Sequence, residues 1–279
     1  MKFTKMQGCG NDYVYINCFE ENVEDPSALA VKMSNRNYGV GSDGLILICP
    51  SDEADFRMRM FNADGSESEM CGNGIRCVGK YVYDRGLTDK TTVSISTLVG
   101  IKILELNVID GAVDTVRVDM GEPVFKAEKI PVSEGGNEIV RKTIQACGEN
   151  LKFTCLSMGN PHAVTYVENI KDFDVEKYGS VIENDKFFPN RVNVEFVEKV
   201  NDNYLKMRVW ERGSGETLAC GTGTCACVVV SVLNGLCGRR TEVELLGGNL
   251  MIEWNEENNR VYMTGPARYS FDGVWLAEL

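Results

Sequence analysis

Hydrophobic and polar residues alternate along much of this chain. Phe56-Arg57-Met58-Arg59-Met60-Phe61 and Leu205-Lys206-Met207-Arg208-Val209-Trp210 put every second side chain on an apolar face, the pattern of a half-buried strand. Thr92 to Thr97, Ile101 to Leu106, Thr241 to Leu246 and Leu250 to Trp254 also read as strands, with Gly111, Gly121, Gly135-Gly136 and Gly247-Gly248 as punctuation. A different period starts after residue 71: Ile75, Val78, Tyr81 and Val82 share one helical face, and Gly86 supplies a stop. The run Cys225-Ala226-Cys227-Val228-Val229-Val230 is apolar on every side and taken alone fits a buried strand as well as a buried helix.

An internal repeat resolves that ambiguity. At a fixed offset of 149 residues, Gly10-Asn11 matches Gly159-Asn160, Met58-Arg59 matches Met207-Arg208, and Glu67 matches Glu216. Cys71-Gly72-x-Gly74 matches Cys220-Gly221-x-Gly223, and Gly86-Leu87 matches Gly235-Leu236. The register makes the second apolar run a helix, buried all round. The expected fold class is α+β: two similar barrel-like domains of short strands around one buried helix. Gly121-Glu122-Pro123 is a crossover point, and no low-complexity linker separates the halves.

Composition narrows the function. The 279 residues carry 41 acidic and 29 basic side chains, a formal charge of −12, which argues against nucleic-acid backbone binding but leaves a small charged substrate open. The first residues lack the apolar core of a signal peptide, and Cys225 to Leu233 is half a membrane span. Eleven cysteines, an odd number without a Cys-x-x-Cys pair, read as free thiols in a reducing cytoplasm, and a single histidine gives little support to a zinc site.

The repeated Cys-Gly-x-Gly at a helix start is the strongest chemical signal. Unpaired N–H groups and the helix dipole favour an anion there, glycines let a carboxylate approach, and the same position favours a thiolate. Two such motifs related by duplication suit a carbon whose proton leaves on one face and returns on the other. The bland reading is buried structural cysteine, which is common. The remaining cysteines have no repeated partner and read as core, with Cys9 left open.

Asn62-Ala63-Asp64-Gly65-Ser66, Met70 to Cys77, Ser157 to His162, Glu211 to Thr217 and Ala219-Cys220-Gly221-Thr222-Gly223 together resemble the diaminopimelate epimerase family. So do Gly8 to Val14, Arg191-Val192-Asn193 and Tyr262 to Pro266, so that the likeness spans the chain. The resemblance implies a cofactor-independent, cytoplasmic homodimer interconverting LL- and meso-2,6-diaminopimelate for lysine and peptidoglycan precursors, without pyridoxal phosphate. It implies pseudo-twofold domains at 1–119 plus 266–279 and at 120–265, with the active site in the cleft between them. Cys71 and Cys220 become the acid/base pair, and Gly72, Asn73, Gly74, Gly221 and Thr222 the carboxylate cradle. Asn11, Asn62, Asn160, Asn193, Glu211 and Arg212 become substrate contacts, with His162 and Glu211 tuning the thiols.

Turn chemistry is the plain alternative for Asn11, Asn62 and Asn160. Arg76 and Lys80 on the first helix read as a solvated or interdomain face. Many relatives carry glutamine where Gly44 stands, so that substrate contact is absent or replaced here. Opposed thiols could also oxidise to an inactive disulfide without substrate. Two rivals remain: a proline or hydroxyproline racemase of the same build, which needs no second amino-acid head, and a thiol-rich metal or redox module around Cys220, Cys225 and Cys227.

Overall fold

The computed structural model describes residues 1–134, 136 and 140–276. Gly135 of the expected Gly135-Gly136 punctuation, and 277–279 at the end of the expected returning segment, lie outside the described residues. The chain divides into two compact units, Met1–Val118 with Thr264–Leu279, and Asp119–Met263.

The first unit runs β1 (Lys2–Gly8), β2 (Asn11–Asn17), α1 (Pro26–Ser34), β3 (Gly44–Cys49), β4 (Phe56–Asn62), β5 (Glu67–Ser68), α2 (Gly72–Asp84), β6 (Thr92–Thr97), β7 (Gly100–Ile109) and β8 (Ala112–Gly121). The second runs β9 (Val140–Ala146), β10 (Glu149–Ser157), β11 (Pro161–Tyr166), α3 (Val175–Glu183), β12 (Asn193–Asn201), β13 (Tyr204–Glu211), β14 (Gly215–Thr217), α4 (Gly221–Leu233), β15 (Arg240–Leu245), β16 (Gly248–Trp254) and β17 (Val261–Pro266). The last strand, β18 (Arg268–Val274), belongs to the first unit.

Strand pairing follows one scheme in both units. β1 lies antiparallel between β18 and β2, β2 pairs parallel with β3, β3 antiparallel with β4, and β4 parallel with β6. In the second unit β10 lies antiparallel between β9 and β11, β11 pairs parallel with β12, β12 antiparallel with β13, and β13 parallel with β15. A parallel pair needs a crossover connection, and each here contains a helix. α1 and α3 bridge the first parallel pair of their units, while α2 and α4 bridge the second.

The long helices are central, as expected. Ile75, Val78 and Val82 of α2, and Val228, Val229 and Val230 of α4, are fully buried. Each such valine contributes about 1.5–3 kcal/mol of burial. The two crossover helices α1 and α3 are additions to the sequence reading. Their starts carry legible signals: Asp25 before Pro26 accepts from the Ala28 N–H, and Asp174 accepts from the Lys177 N–H.

Arg76 and Lys80 do not lie on a solvated face, the first of their two expected placements. Arg76 is fully buried, donating from Nη1 to the Gly72 carbonyl at 3.2 Å, from Nε to the Pro266 carbonyl at 3.2 Å, and from Nη2 to Cys9 Sγ at 3.6 Å. Lys80 is buried beside Asp84, with Nζ to Oδ2 at 2.7 Å, and donates to the Val113 carbonyl. Carbonyl acceptors and a one-turn-away carboxylate let cationic groups sit inside. Polar residue type alone did not reveal those partners. Cys9, left open above, is buried against Arg76 with φ of 53°.

Candidate active site

Cys71 and Cys220 occupy equivalent places at the heads of the two long helices. Each is the residue before the first turn, extended at φ −121°, ψ 119° for Cys71 and φ −117°, ψ 110° for Cys220. The Gly74 N–H points to Cys71 Sγ at 3.4 Å, whereas the Cys220 side chain makes no such capping bond and its Sγ lies 3.5 Å from Thr222 Oγ1. The Cys71 thiol thus meets one of the N–H groups that an α-helix leaves unpaired at its start, and Cys220 holds the same N-terminal position on α4. A side chain on either first-turn glycine would crowd a neighbour. A Cβ on Gly74 would meet Ile46 Cδ1 at 2.6 Å, and one on Gly223 would meet Glu195 Oε1 at 2.6 Å.

In the first unit, Cys71 donates its S–H to Asn11 Oδ1 at 3.1 Å, while Asn11 Nδ2 donates to Asp43 Oδ2 at 2.7 Å. Asp43 also accepts the Asp12 N–H at 3.0 Å and Arg36 Nη2 at 2.9 Å. The side chain of Asn11 is therefore oriented by a charged group and delivers its oxygen to the thiol. Asn73 is buried in the first turn of α2, between Gly72 and Gly74. Asn62 ends β4 in turn geometry, its N–H on the Ser66 carbonyl at 2.9 Å and its Nδ2 on Ser66 Oγ at 3.0 Å.

In the second unit, Cys220 is 5 % exposed, and burial pushes its thiol well above the ordinary range. The negative charge of Glu211, and a nearby Glu195 carboxyl wherever its charge is not compensated, add to this, while the Thr222 hydroxyl works against it. Thr222 Oγ1 lies 3.5 Å from Cys220 Sγ, and Gly221 opens α4. Glu211 Oε1 accepts the Thr217 hydroxyl at 2.5 Å. Asn193 donates to the Pro161 carbonyl and accepts the Arg212 N–H, both at 2.9 Å, so its amide fixes the backbone that presents Arg212. The exposed Arg212 guanidinium makes a 3.2 Å bond to the Asn190 carbonyl. His162 is fully buried, with Nε2 2.9 Å from Asn160 Oδ1 and Nδ1 2.6 Å from Glu195 Oε1.

Glu195, Asp43 and Arg36 are the site neighbours that sequence reasoning missed. For Glu195 a signal existed: the 149-residue offset sets it against Ile46, so a carboxyl replaces an aliphatic side chain inside the apolar run Val194-x-Phe196-Val197. The other matches of the repeat have structural partners. Arg59 Nε meets Glu67 Oε1 at 2.8 Å, and Arg208 Nε meets Glu216 Oε1 at 2.6 Å. Gly44 proves more restrictive than an absent side chain: a Cβ there would lie 2.2 Å from the Phe61 carbonyl oxygen. Cys225 and Cys227 are fully buried within α4, and Cys227 Sγ contacts Met207 Sδ at 3.2 Å. Among the described residues no group of three His, Cys, Asp or Glu is arranged to hold a metal ion, and no helix is long and apolar enough to cross a membrane.

The profile of the family described as diaminopimelate epimerase matches residues 3–126 and 154–270. A diaminopimelate epimerase of Acetivibrio thermocellus is 60% identical over 280 residues, covering 100% of both chains. One from Methanococcus maripaludis is 58% identical over 273 residues, covering 98% of this chain and 99% of its own. Among solved structures, a hydroxyproline epimerase from Agrobacterium vitis superposes with a TM-score of 0.68 at 14% identity, over 98% of this chain and 91% of the other, a likeness of fold. With two family segments that together take in both cysteine-headed helices, and relatives matched end to end, this chain belongs to the diaminopimelate epimerase family.

Proposed function

We propose that this epimerase interconverts LL- and meso-2,6-diaminopimelate by two-base chemistry, with Cys71 and Cys220 as the bases. One cysteine, as thiolate, takes the α-proton, and the C–H electron pair passes into the α-carboxylate as an enediolate. The other cysteine gives its S–H proton to the opposite face of the same carbon. In the reverse direction the roles exchange, which requires both thiols to reach one α-carbon. The N–H groups of Gly72, Asn73, Gly74, Gly221 and Thr222 hold the reacting carboxylate, where helix dipoles favour growing negative charge.

The observation that carries this reading is the duplicated placement of a cysteine as the cap of a buried helix whose first turn is kept open by glycine. Arg212 suits the distal carboxylate, since its forked donors can bind one bidentately. Asn11, Asn62, Asn160 and Asn193 suit ammonium and carboxylate groups, and Glu211 and His162 adjust the proton affinity of the thiols. The Asn193 amide already serves the backbone, so its role is to present Arg212 as much as to touch substrate. The reading includes a cytoplasmic homodimer serving lysine and peptidoglycan precursor synthesis without pyridoxal phosphate, and no nucleic-acid partner.

Proton NMR of LL-diaminopimelate with reduced protein in D₂O tests it, with Cys71→Ala and Cys220→Ala alongside. Deuterium should enter the α-position as the meso isomer forms, and both variants should lose epimerisation. No exchange with wild type under reducing conditions would refute the substrate, and proline would be tried next.

A further inference from the structure

The offset that aligns the two cysteines also aligns Ile46 with Glu195 and Tyr13 with His162. The strands preserve this alignment: Tyr13 lies opposite Gly44 between β2 and β3, and His162 opposite Asn193 between β11 and β12. Behind the first-turn glycine of α2 sits an isoleucine methyl group, and behind that of α4 sits a carboxyl oxygen. Both positions are fully buried, so the change exchanges an apolar filler for a group that is costly to bury. The companion change supplies a partner, because His162 is also fully buried and 2.6 Å from Glu195 Oε1.

The hydrogen bonds fix the proton count. Asn160 Oδ1 can only accept, so His162 Nε2 must carry a hydrogen. Two lone pairs cannot face each other at 2.6 Å, so a second proton lies between Nδ1 and Oε1. With that proton shared, the pair has no net charge whichever atom holds it. Glu195 Oε2 is buried with no hydrogen-bond partner among the described residues, which also disfavours a bare carboxylate. The ionisable groups facing Glu195 are Cys155 on β10, Glu211 on β13, and Cys220 and Cys227 on α4, none of them basic.

We propose that Glu195 is a positioning residue of the Cys220 half-site: through one proton shared with His162 it holds the imidazole as an Nε2–H donor, and thereby holds the Asn160 amide in one orientation. The same proton keeps Cys220 from ionising beside an uncompensated carboxylate. That carboxylate is close, since the Cβ position at Gly223 that lies 2.6 Å from Glu195 Oε1 lies 3.3 Å from Cys220 Sγ. The catalytic consequence rests on the epimerase reading above, whereas the proton assignment does not.

His162 is the sole histidine of the chain, so ¹⁵N-histidine labelling reports on this ring alone. Wild type should show one tautomer, protonated at Nε2, with a second, strongly deshielded proton at Nδ1. Glu195→Gln can donate from its amide to Nδ1, so it should keep the single Nε2–H tautomer, lose the deshielded proton and retain kcat within about threefold. Glu195→Ile, which copies the other half, should give a tautomer mixture and lower kcat about tenfold, the loss of one orienting hydrogen bond. A tautomer mixture in wild type would overturn the proposal, as would wild-type spectra and kcat in Glu195→Ile. Should Glu195→Ile not fold, the wild-type and Glu195→Gln spectra still decide. If wild type fails to epimerise diaminopimelate, that failure falls on the functional reading, and the spectra continue to judge Glu195.

Discussion

Replacing Lys80 by methionine tests whether the buried cation of α2 is a structural clamp. Lys80 Nζ pairs with Asp84 Oδ2 at 2.7 Å and donates to the Val113 carbonyl, while Asp84 Oδ1 accepts the Val113 N–H at 2.9 Å. Both polar groups of one β8 residue are therefore gripped by one helical turn. Methionine keeps most of the apolar stem but removes the ammonium, which also lies 5.4 Å from the Tyr269 ring centroid, and strands the carboxylate. Breaking a buried pair from one side costs about 3–5 kcal/mol. The Asp84 side chain retains 13% exposure, so water relieves part of this and the lower figure, about 3 kcal/mol, applies. At about 2–4 °C per kcal/mol, the midpoint of thermal unfolding should fall by roughly 6–12 °C. Lys80→Met/Asp84→Leu removes the stranded charge and should recover at least about 1 kcal/mol of that loss in urea denaturation. A loss below about 1 kcal/mol in Lys80→Met, or strict additivity in the double variant, would refute the reasoning.

Gly223→Ala should cost about 2 kcal/mol because Glu195 cannot yield without leaving His162, whereas Gly74→Ala meets the movable end of Ile46 and should cost under about 1 kcal/mol after the gain in helix propensity; urea denaturation separates them. The neutral form of Cys220 is favoured by burial, so iodoacetamide should label it more slowly than the exposed Cys147 at pH 7, with the rate climbing as pH rises past the ordinary thiol range, read by peptide mass spectrometry. Lys90 and the Ser94 N–H hold the Asp55 carboxyl down to about 2. Its stabilising effect is therefore complete above pH about 4 and fades as pH falls towards 2, so the gap in melting temperature between wild type and Asp55→Asn should close over that interval.

The strands and long helices were legible because their periodicities are local and occur twice. The run Cys225 to Val230 is the clear instance: apolarity alone left strand and helix open, and its alignment with the amphipathic first copy settled it. α1 escaped because weak amphipathicity hid it, whereas α3 is a short but amphipathic helix of nine residues that was overlooked, and Asp25-Pro26 and Asp174 mark their starts. Arg76 and Lys80 were misplaced because charge predicts exposure only when no carbonyl or carboxylate comes within reach, and theirs come partly from distant strands. At the site, the cysteine caps followed from sequence spacing. Asp43 beneath Asn11 and Glu195 beneath His162 did not, because parallel pairing across a helical crossover brings them there from more than 30 residues away.

The repeat of 149 residues also has a meaning as history. Two separate copies of a half-length chain would carry identical residues behind both thiols, whatever chemistry each met. Joined in one reading frame, the copies were free to diverge, and positions 46 and 195, with 13 and 162, record that freedom. An epimerase acting on one of two stereocentres has diastereomers, not mirror images, as its two substrates. Unequal halves are then the expected end of such a fusion, because each thiol can be matched to its own isomer without disturbing the other.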